Sequence, residues 1–142
     1  MNTIVISWRA RAWRFPKIIS RKTTAPESPK IVGAATLHQQ LGGWKRHIGR
    51  VSVLVHPEFR GRGLARGLIA EILQIARQGG LERVEAEFIG EQDTAMKMFA
   101  MLGFSELLRL EDYVKDMQAI THDYILMGLD LRTDEEYAGV GG

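Results

Sequence analysis

The sequence predicts an α/β fold of the α+β layered kind, a mixed sheet flanked by helices. Three observations predict it. Segments with the two-residue period of strands alternate with two segments of helical period. Glycines close both helical segments. The order strand, strand, helix, strand, helix, strand, strand is that of a layered domain.

The elements follow in order. Thr3 to Ser7 reads as a short strand, and Thr23 to Pro29 (TTAPESP) as a loop. Lys30 to His38 has strand character, with Gly33 as a bulge or close-approach point. Gly42-Gly43 marks a turn before the strand His47 to Val55, which Pro57 ends. The loop His56 to Gly63 leads into a helix from Leu64 to Gln78, whose apolar positions Leu64, Leu68, Ile69, Ile72, Ile75 and Ala76 follow a 3.6-residue period. Arg83 to Ile89 alternates Val84, Ala86 and Phe88 with Glu85 and Glu87. A second helix runs from Asp93, read as its N-cap, to Leu102, and Gly103 closes it. Phe104 to Leu110 and Tyr124 to Leu131 read as the last strands, and the segment 133–142 as a polar, frayed tail.

The 142 residues fit one domain with a core of its own. The expected organisation is an irregular basic segment over 1–29, the folded domain over 30–131 and a flexible tail over 132–142. The net charge of +2 conceals an asymmetry, since all but one of the acidic residues lie beyond residue 50. That pattern gives a basic flank beside an acidic body, and a solvated flank is the reading preferred over nucleic-acid binding. The absence of cysteine excludes disulfides, thiolate metal sites and a cysteine nucleophile. His38, His47, His56 and His122 have no metal-ligand spacing, so no metal is expected. Arginines interrupt the first fifteen residues and no cleavage site follows, so no secretory signal is read, and no apolar run reaches membrane-spanning length. A cytoplasmic location is expected.

The chemistry-bearing stretch is Arg60-Gly61-Arg62-Gly63-Leu64-Ala65, between a strand and an amphipathic helix. Glycines let a ligand approach the backbone closely, and the first amides of a helix lack intrahelical partners. With the helix dipole and the two arginines they suit a phosphate or pyrophosphate. The same spacing also serves as a plain tight connection. It is neither a P-loop nor a dinucleotide fingerprint, because it lacks the Gly-Lys-Ser/Thr ending and a third glycine at the required offset.

Val51 to Ala65 (VSVLVHPEFRGRGLA) resembles the GNAT acyltransferase superfamily, whose cofactor motif Gln/Arg-x-x-Gly-x-Gly/Ala is matched by Arg60, Gly63 and Ala65. A second family signature, Asn-x-x-Ala-x-x-x-Tyr-x-x-x-Gly-Phe, is matched by Gln92, Ala95, Phe99, Gly103 and Phe104. The resemblance implies a GNAT-like, mostly antiparallel mixed sheet, with a shortened or irregular N-terminal part in place of the family's usual helices. It implies acetyl-CoA as co-substrate and an N-acetyltransferase acting on an amine acceptor. The backbone of Val53, Leu54 and Val55 would meet the pantetheine arm as a strand does. A splayed partner strand, Val84 to Ile89, would open the sheet beside it. The amides over Arg60, Gly61, Arg62, Gly63, Leu64 and Ala65 would hold the pyrophosphate, with Gln92 and Phe99 also at the cofactor. Phe99 stands where the family commonly has a tyrosine that protonates the departing thiolate, and Gln92 stands for asparagine. A hydroxyl restored by Phe99→Tyr is expected to be tolerated and to point at the CoA sulfur.

A base must take the proton of the attacking amine, and His47 and Glu87 are the candidates, with Glu85 behind them. His56 is read as structural, Trp8, Trp13 and Trp44 as packing residues rather than lining of an acceptor pocket, and Met96, Met98 and Met101 as core filler. The expected partners are acetyl-CoA and an amine, with a homodimer allowed and no membrane or nucleic acid. The main alternative is a non-catalytic acyl-CoA-binding or sensing module.

Overall fold

The computed structural model describes residues 2–9, 17–18 and 31–132. The strands are β1 (Asn2–Arg9), β2 (Lys17–Ile18), β3 (Ile31–Gln39), β4 (Ile48–Val55), β5 (Arg83–Ile89), β6 (Ser105–Lys115) and β7 (Thr121–Asp130). The helices are α1 (Leu64–Gln78) and α2 (Asp93–Met101), and a 3-10 turn occupies Pro57–Phe59. All seven described strands join one sheet in the order β2-β1-β3-β4-β5-β7-β6. Every pairing is antiparallel except β4 with β5. That is the mixed, mostly antiparallel sheet expected, and α1 is the crossover that a parallel pair requires.

Strand alternation sorts the sheet into two faces. Ala35, Leu37, Val51, Val84, Ala86, Phe88, Ile125 and Met127 point to one face and form a single core cluster with Leu68, Ile69, Ile72, Leu73 and Ala76 of α1 and Phe99 of α2. Each large aliphatic side chain buried there contributes about 1.5–3 kcal/mol. The 3.6-residue stripe read in α1 is therefore the stripe that packs. Gly33 is the close approach expected: a β-carbon there would lie 3.0 Å from Leu68 Cδ1, so β3 is smooth where the helix crosses it. On the opposite face β3 presents Thr36 and His38, β4 presents Arg50, Ser52 and Leu54, β5 presents Glu85 and Glu87, and β7 presents Tyr124. Both described helices pack on the other face.

The structure corrects several sequence expectations. β1 is paired with β3 along its length, and β2 is added outside it, so the sheet crosses the boundary expected at residue 30. β4 begins at Ile48, leaving His47 in the preceding turn. Gln92 rather than Asp93 is the N-cap of α2. β6 continues to Lys115, because a bulge between Leu110 and Val114 absorbs Glu111, Asp112 and Tyr113 and lets pairing resume. Met101 is exposed, unlike Met96 and Met98, which pack on the core. Trp44 is 94% exposed in the turn before β4, so it is not part of the core. Trp13, the loop over 23–29 and the tail lie outside the described residues, as does the side chain of Trp8.

Candidate active site

The β4–β5 seam is the discontinuity in the sheet. Its registered pairs are Ile48 with Arg83, Gly49 with Val84, and Arg50 with Glu85, and there they stop. Val51–Val55 remain paired to β3 and Ala86–Ile89 to β7, but not to each other. The expected opening between Val53-Leu54-Val55 and the second half of β5 is therefore present, and it leaves backbone polar groups on the inner edges of two strands. Such groups need partners. Val53 and Val55 are half-buried, and Leu54 is 73% exposed on the face away from the helices.

β4 points its C-terminal end at the glycine-rich loop. His56 leaves the strand with its amide bonded to the Val32 carbonyl at 2.8 Å, and its Nδ1 accepts the Glu58 amide at 3.2 Å. His56 thus caps the 3-10 turn, the structural role expected of it. Arg60 turns back, donating from Nε to the Val55 carbonyl at 3.4 Å, and Arg62 lies over the Phe59 ring at 5.1 Å. Gly61 and Gly63 have φ of 78° and 75°, in the left-handed region that glycine enters without cost. A β-carbon on either would meet nothing within 4 Å. The glycines therefore serve backbone conformation, and the space in front of them is open. Gly63 is the N-cap of α1, and no side chain caps the helix. The amides of Leu64, Ala65 and Arg66 lack intrahelical partners by geometry, and no acid lies in the first turn to offset the dipole. Arg60, Arg62 and Arg66 are exposed around this end. The arrangement suits an anion.

The second signature is placed differently. Gln92 is exposed, and its Oε1 accepts the Ile89 amide at 2.9 Å, while its own amide donates to the Ile89 carbonyl at 3.0 Å. Its amide side chain closes the turn from the open strand β5 into α2. Phe99 is 1% exposed and lies edge-on to Phe88 and Phe104, at ring separations of 5.0 and 4.9 Å. Phe99 was expected to line the cofactor site. The structure puts it in the centre of the core, because its helix turns its one fully apolar face inward.

The two candidate bases lie apart. His47 precedes β4 at the closed end of the seam, where its carbonyl accepts the amides of Glu82 and Arg83 at 2.9 and 3.3 Å. The eight residues of β4 at about 3.3 Å each put roughly 26 Å between that end and the glycine loop. Glu87 instead stands on β5 just past the last β4–β5 pair. Its Oε1 accepts from Arg50 Nη1 at 2.9 Å and from the Tyr124 hydroxyl at 2.9 Å. Glu85, two residues earlier, meets Lys45 Nζ at 3.2 Å and Arg50 Nη2 at 3.7 Å. Burial first, and the bond to Glu87 second, hold the Tyr124 phenol above its ordinary range. Beside this network, a recess of about 350 Å³ opens between His38, Lys45, Arg50 and Glu85. Sequence reading missed Arg50, Lys45 and Tyr124. Only cross-strand register brings them to the acids.

A further polar cluster lies at the β6–β7 hairpin. His122 is buried, with Nε2 2.7 Å from Asp116 Oδ2 and Nδ1 3.6 Å from Glu91 on the β5–α2 turn. The Asp116 bond raises the His122 pKa and lowers that of Asp116. Among the described residues no group of three or more His, Asp or Glu could hold a metal ion. No described helix is long and apolar enough to cross a membrane.

Comparison with known proteins agrees with this geometry. A family model described as the acetyltransferase (GNAT) family matches residues 6–104. The chain is similar to a thialysine N-epsilon-acetyltransferase from Bos taurus, at 26% identity over 89 residues, which are 62% of this chain and 52% of that protein. It is also similar to an acetyltransferase from Yersinia enterocolitica, at 26% identity over 94% of this chain and 91% of that protein. Among solved structures, an acetyltransferase from Salmonella typhimurium with its cofactor acetyl-CoA superposes with a TM-score of 0.70 at 23% identity. That match covers 75% of this chain and 62% of the other. A phosphinothricin acetyltransferase from Sinorhizobium meliloti in complex with acetyl-CoA gives 0.67 at 18% identity, over 72% and 55%. The chain thus spans about half the length of the bovine relative and less than two thirds of these two structures.

Proposed function

This chain belongs to the GNAT acetyltransferase family, and we propose that it transfers an acetyl group from acetyl-CoA to a primary amine of a small molecule or protein. The observation that carries the reading is the open β4–β5 seam pointing at a left-handed glycine loop and an uncapped helix start. In this reading the inner edge of Val53, Leu54 and Val55 pairs with the amides of the pantetheine arm as a third strand would. The amides over Gly61, Gly63, Leu64 and Ala65 receive the pyrophosphate, with Arg60 and Arg62 adding charge. Gln92 acts at one remove, by fixing the turn at the end of β5. The bovine relative's name specifies an N-epsilon-acetyltransferase, which agrees with an amine acceptor.

The amine nitrogen attacks the thioester carbonyl carbon, and a strand amide donates to the oxygen as it gains negative charge. The C–S bond then breaks, the thiolate leaves and the nitrogen gives up its surplus proton. Glu87 is the base we propose, because it alone of the two candidates stands where the seam opens, on the face free of described helices. The thiolate leaves as such or is protonated by water, which its pKa near that of a free thiol allows. Acetyl-CoA and this amine are the proposed partners, in a cytoplasmic setting; a homodimer is compatible with this reading. The test is thiol release from acetyl-CoA with a panel of primary amines. Amine-dependent release supports the reading. Acetyl-CoA binding without release from any amine would favour the binding-module alternative.

A further inference from the structure

We infer that Arg50 is a positioning residue that fixes how far β4 and β5 stand apart, and hence the width of the seam. The inference rests on the proposed role of that seam in holding acetyl-CoA. The sheet consists of two well-registered halves. β1, β2, β3 and β4 make one half, and β5, β7 and β6 the other. β4 is registered to β3 from Gly49 to Val55, and β5 to β7 along its whole length. The halves are joined at backbone level by the pairs ending at Arg50 and Glu85. Beyond that point nothing in the backbone ladder sets their separation.

Arg50 occupies the last rung of this joint and reaches past it. Its guanidinium bridges to Glu87 at 2.9 Å, in the direction of divergence, and to Glu85 at 3.7 Å on its own level. The fork is what the geometry requires, since a planar guanidinium serves two carboxylates at once where an ammonium is a single point charge. Glu87 is anchored independently of Arg50 by the hydroxyl of Tyr124 on β7 at 2.9 Å, while Lys45, in the turn before β4, ties Glu85 across the same joint at 3.2 Å. Beyond the last rung the strap therefore holds β4 to a fixed point on the other half-sheet, the Glu87–Tyr124 pair. With side-chain exposures of 46% for Arg50 and 40% for Glu87, the pair is too wet to add much global stability, which separates positioning from simple stabilisation.

The experiment compares wild type, Arg50→Met, Arg50→Lys and Glu87→Gln by calorimetric titration with acetyl-CoA and by amide hydrogen exchange. Arg50→Met is expected to lower acetyl-CoA affinity about tenfold and to speed exchange over residues 51–55 and 86–89, with little change in Tm. Arg50→Lys should fall between, Glu87→Gln should act in the same direction, and the Arg50→Met/Glu87→Gln double variant should be no worse than Arg50→Met alone. Wild-type exchange over both segments in Arg50→Met overturns the inference whatever the titration gives. So does a double variant whose losses simply add. A wild type that does not bind acetyl-CoA, yet whose seam exchange depends on Arg50, supports the strap and overturns the proposed function instead.

Discussion

Gly63 offers the sharpest test of the proposed cofactor loop, because two consequences of one substitution separate there. The φ of 75° puts any L-residue in the left-handed region, at a cost of roughly 1–2 kcal/mol for alanine and less for asparagine. No other cost is expected, since an added β-carbon meets nothing within 4 Å. Gly63→Ala should therefore lower Tm by roughly 2–8 °C for a chain of this size, and Gly63→Asn by less. Both place a side chain in the open space before the free amides of Leu64, Ala65 and Arg66. If that space receives pyrophosphate, both lose acetyl-CoA affinity alike, on the order of tenfold or more, although their stabilities differ. Titration calorimetry alongside thermal melts reads the two quantities separately. Wild-type acetyl-CoA affinity in folded Gly63→Asn would show that the loop is only a connection between β4 and α1.

Acetyl-CoA itself should raise Tm, since a ligand that binds only the folded state stabilises it by about 2.7 kcal/mol at a hundred times its Kd; a melt unmoved by millimolar acetyl-CoA would refute the cofactor site. Phe99→Tyr is expected to lose about 1–3 kcal/mol in denaturant melts and to gain no rate, because the hydroxyl would enter a ring cluster with Phe88 and Phe104 without a partner; unchanged stability with faster thiol release would place the ring at the site after all. His122 predicts a pH dependence. Its pKa is raised in the fold by Asp116 first and by the nearby Glu91 and Asp123, so its contribution is complete below the unfolded value near 6.5 and is lost as pH climbs through the higher folded value. Asp116 works in the opposite sense, its contribution being lost only below its ordinary range. Wild-type Tm should accordingly fall more steeply above pH 6.5 than that of His122→Gln, and parallel profiles would contradict the pairing.

What could be read from the sequence was whatever repeats along the chain. The stripe Leu68, Ile69, Ile72 and Ala76 located α1, the alternation Val84, Ala86, Phe88 located β5, and glycines at the ends set the boundaries. The glycine loop proposed to hold the cofactor was legible for the same reason, being contiguous. Phe99 was misplaced because a motif position carries no sign of which way its helix faces. The extent of β6 was hidden by the bulge at Glu111, Asp112 and Tyr113, where Asp112 takes a φ of 47°. That distortion is local and breaks the two-residue period without ending the strand.

The polar cluster beside the seam was illegible for a stronger reason. Lys45, Arg50, Glu85, Glu87 and Tyr124 come from a turn and three strands, and each alone reads as an ordinary polar or aromatic residue on a strand face. Their meaning comes from register. Arg50 opposite Glu85, and Glu87 within reach of the Tyr124 hydroxyl, depend on which strand lies beside which, and a shift of one residue in β5 would turn both acids into the core. The hydrophobic positions Val84, Ala86 and Phe88 forbid that shift, because their burial under α1 and α2 fixes the phase of β5. The packing on one face thus dictates the electrostatics of the other. Chemistry at the seam inherits its geometry from the core, and a core substitution that let β5 slip would unmake the Arg50 strap without touching a charged residue.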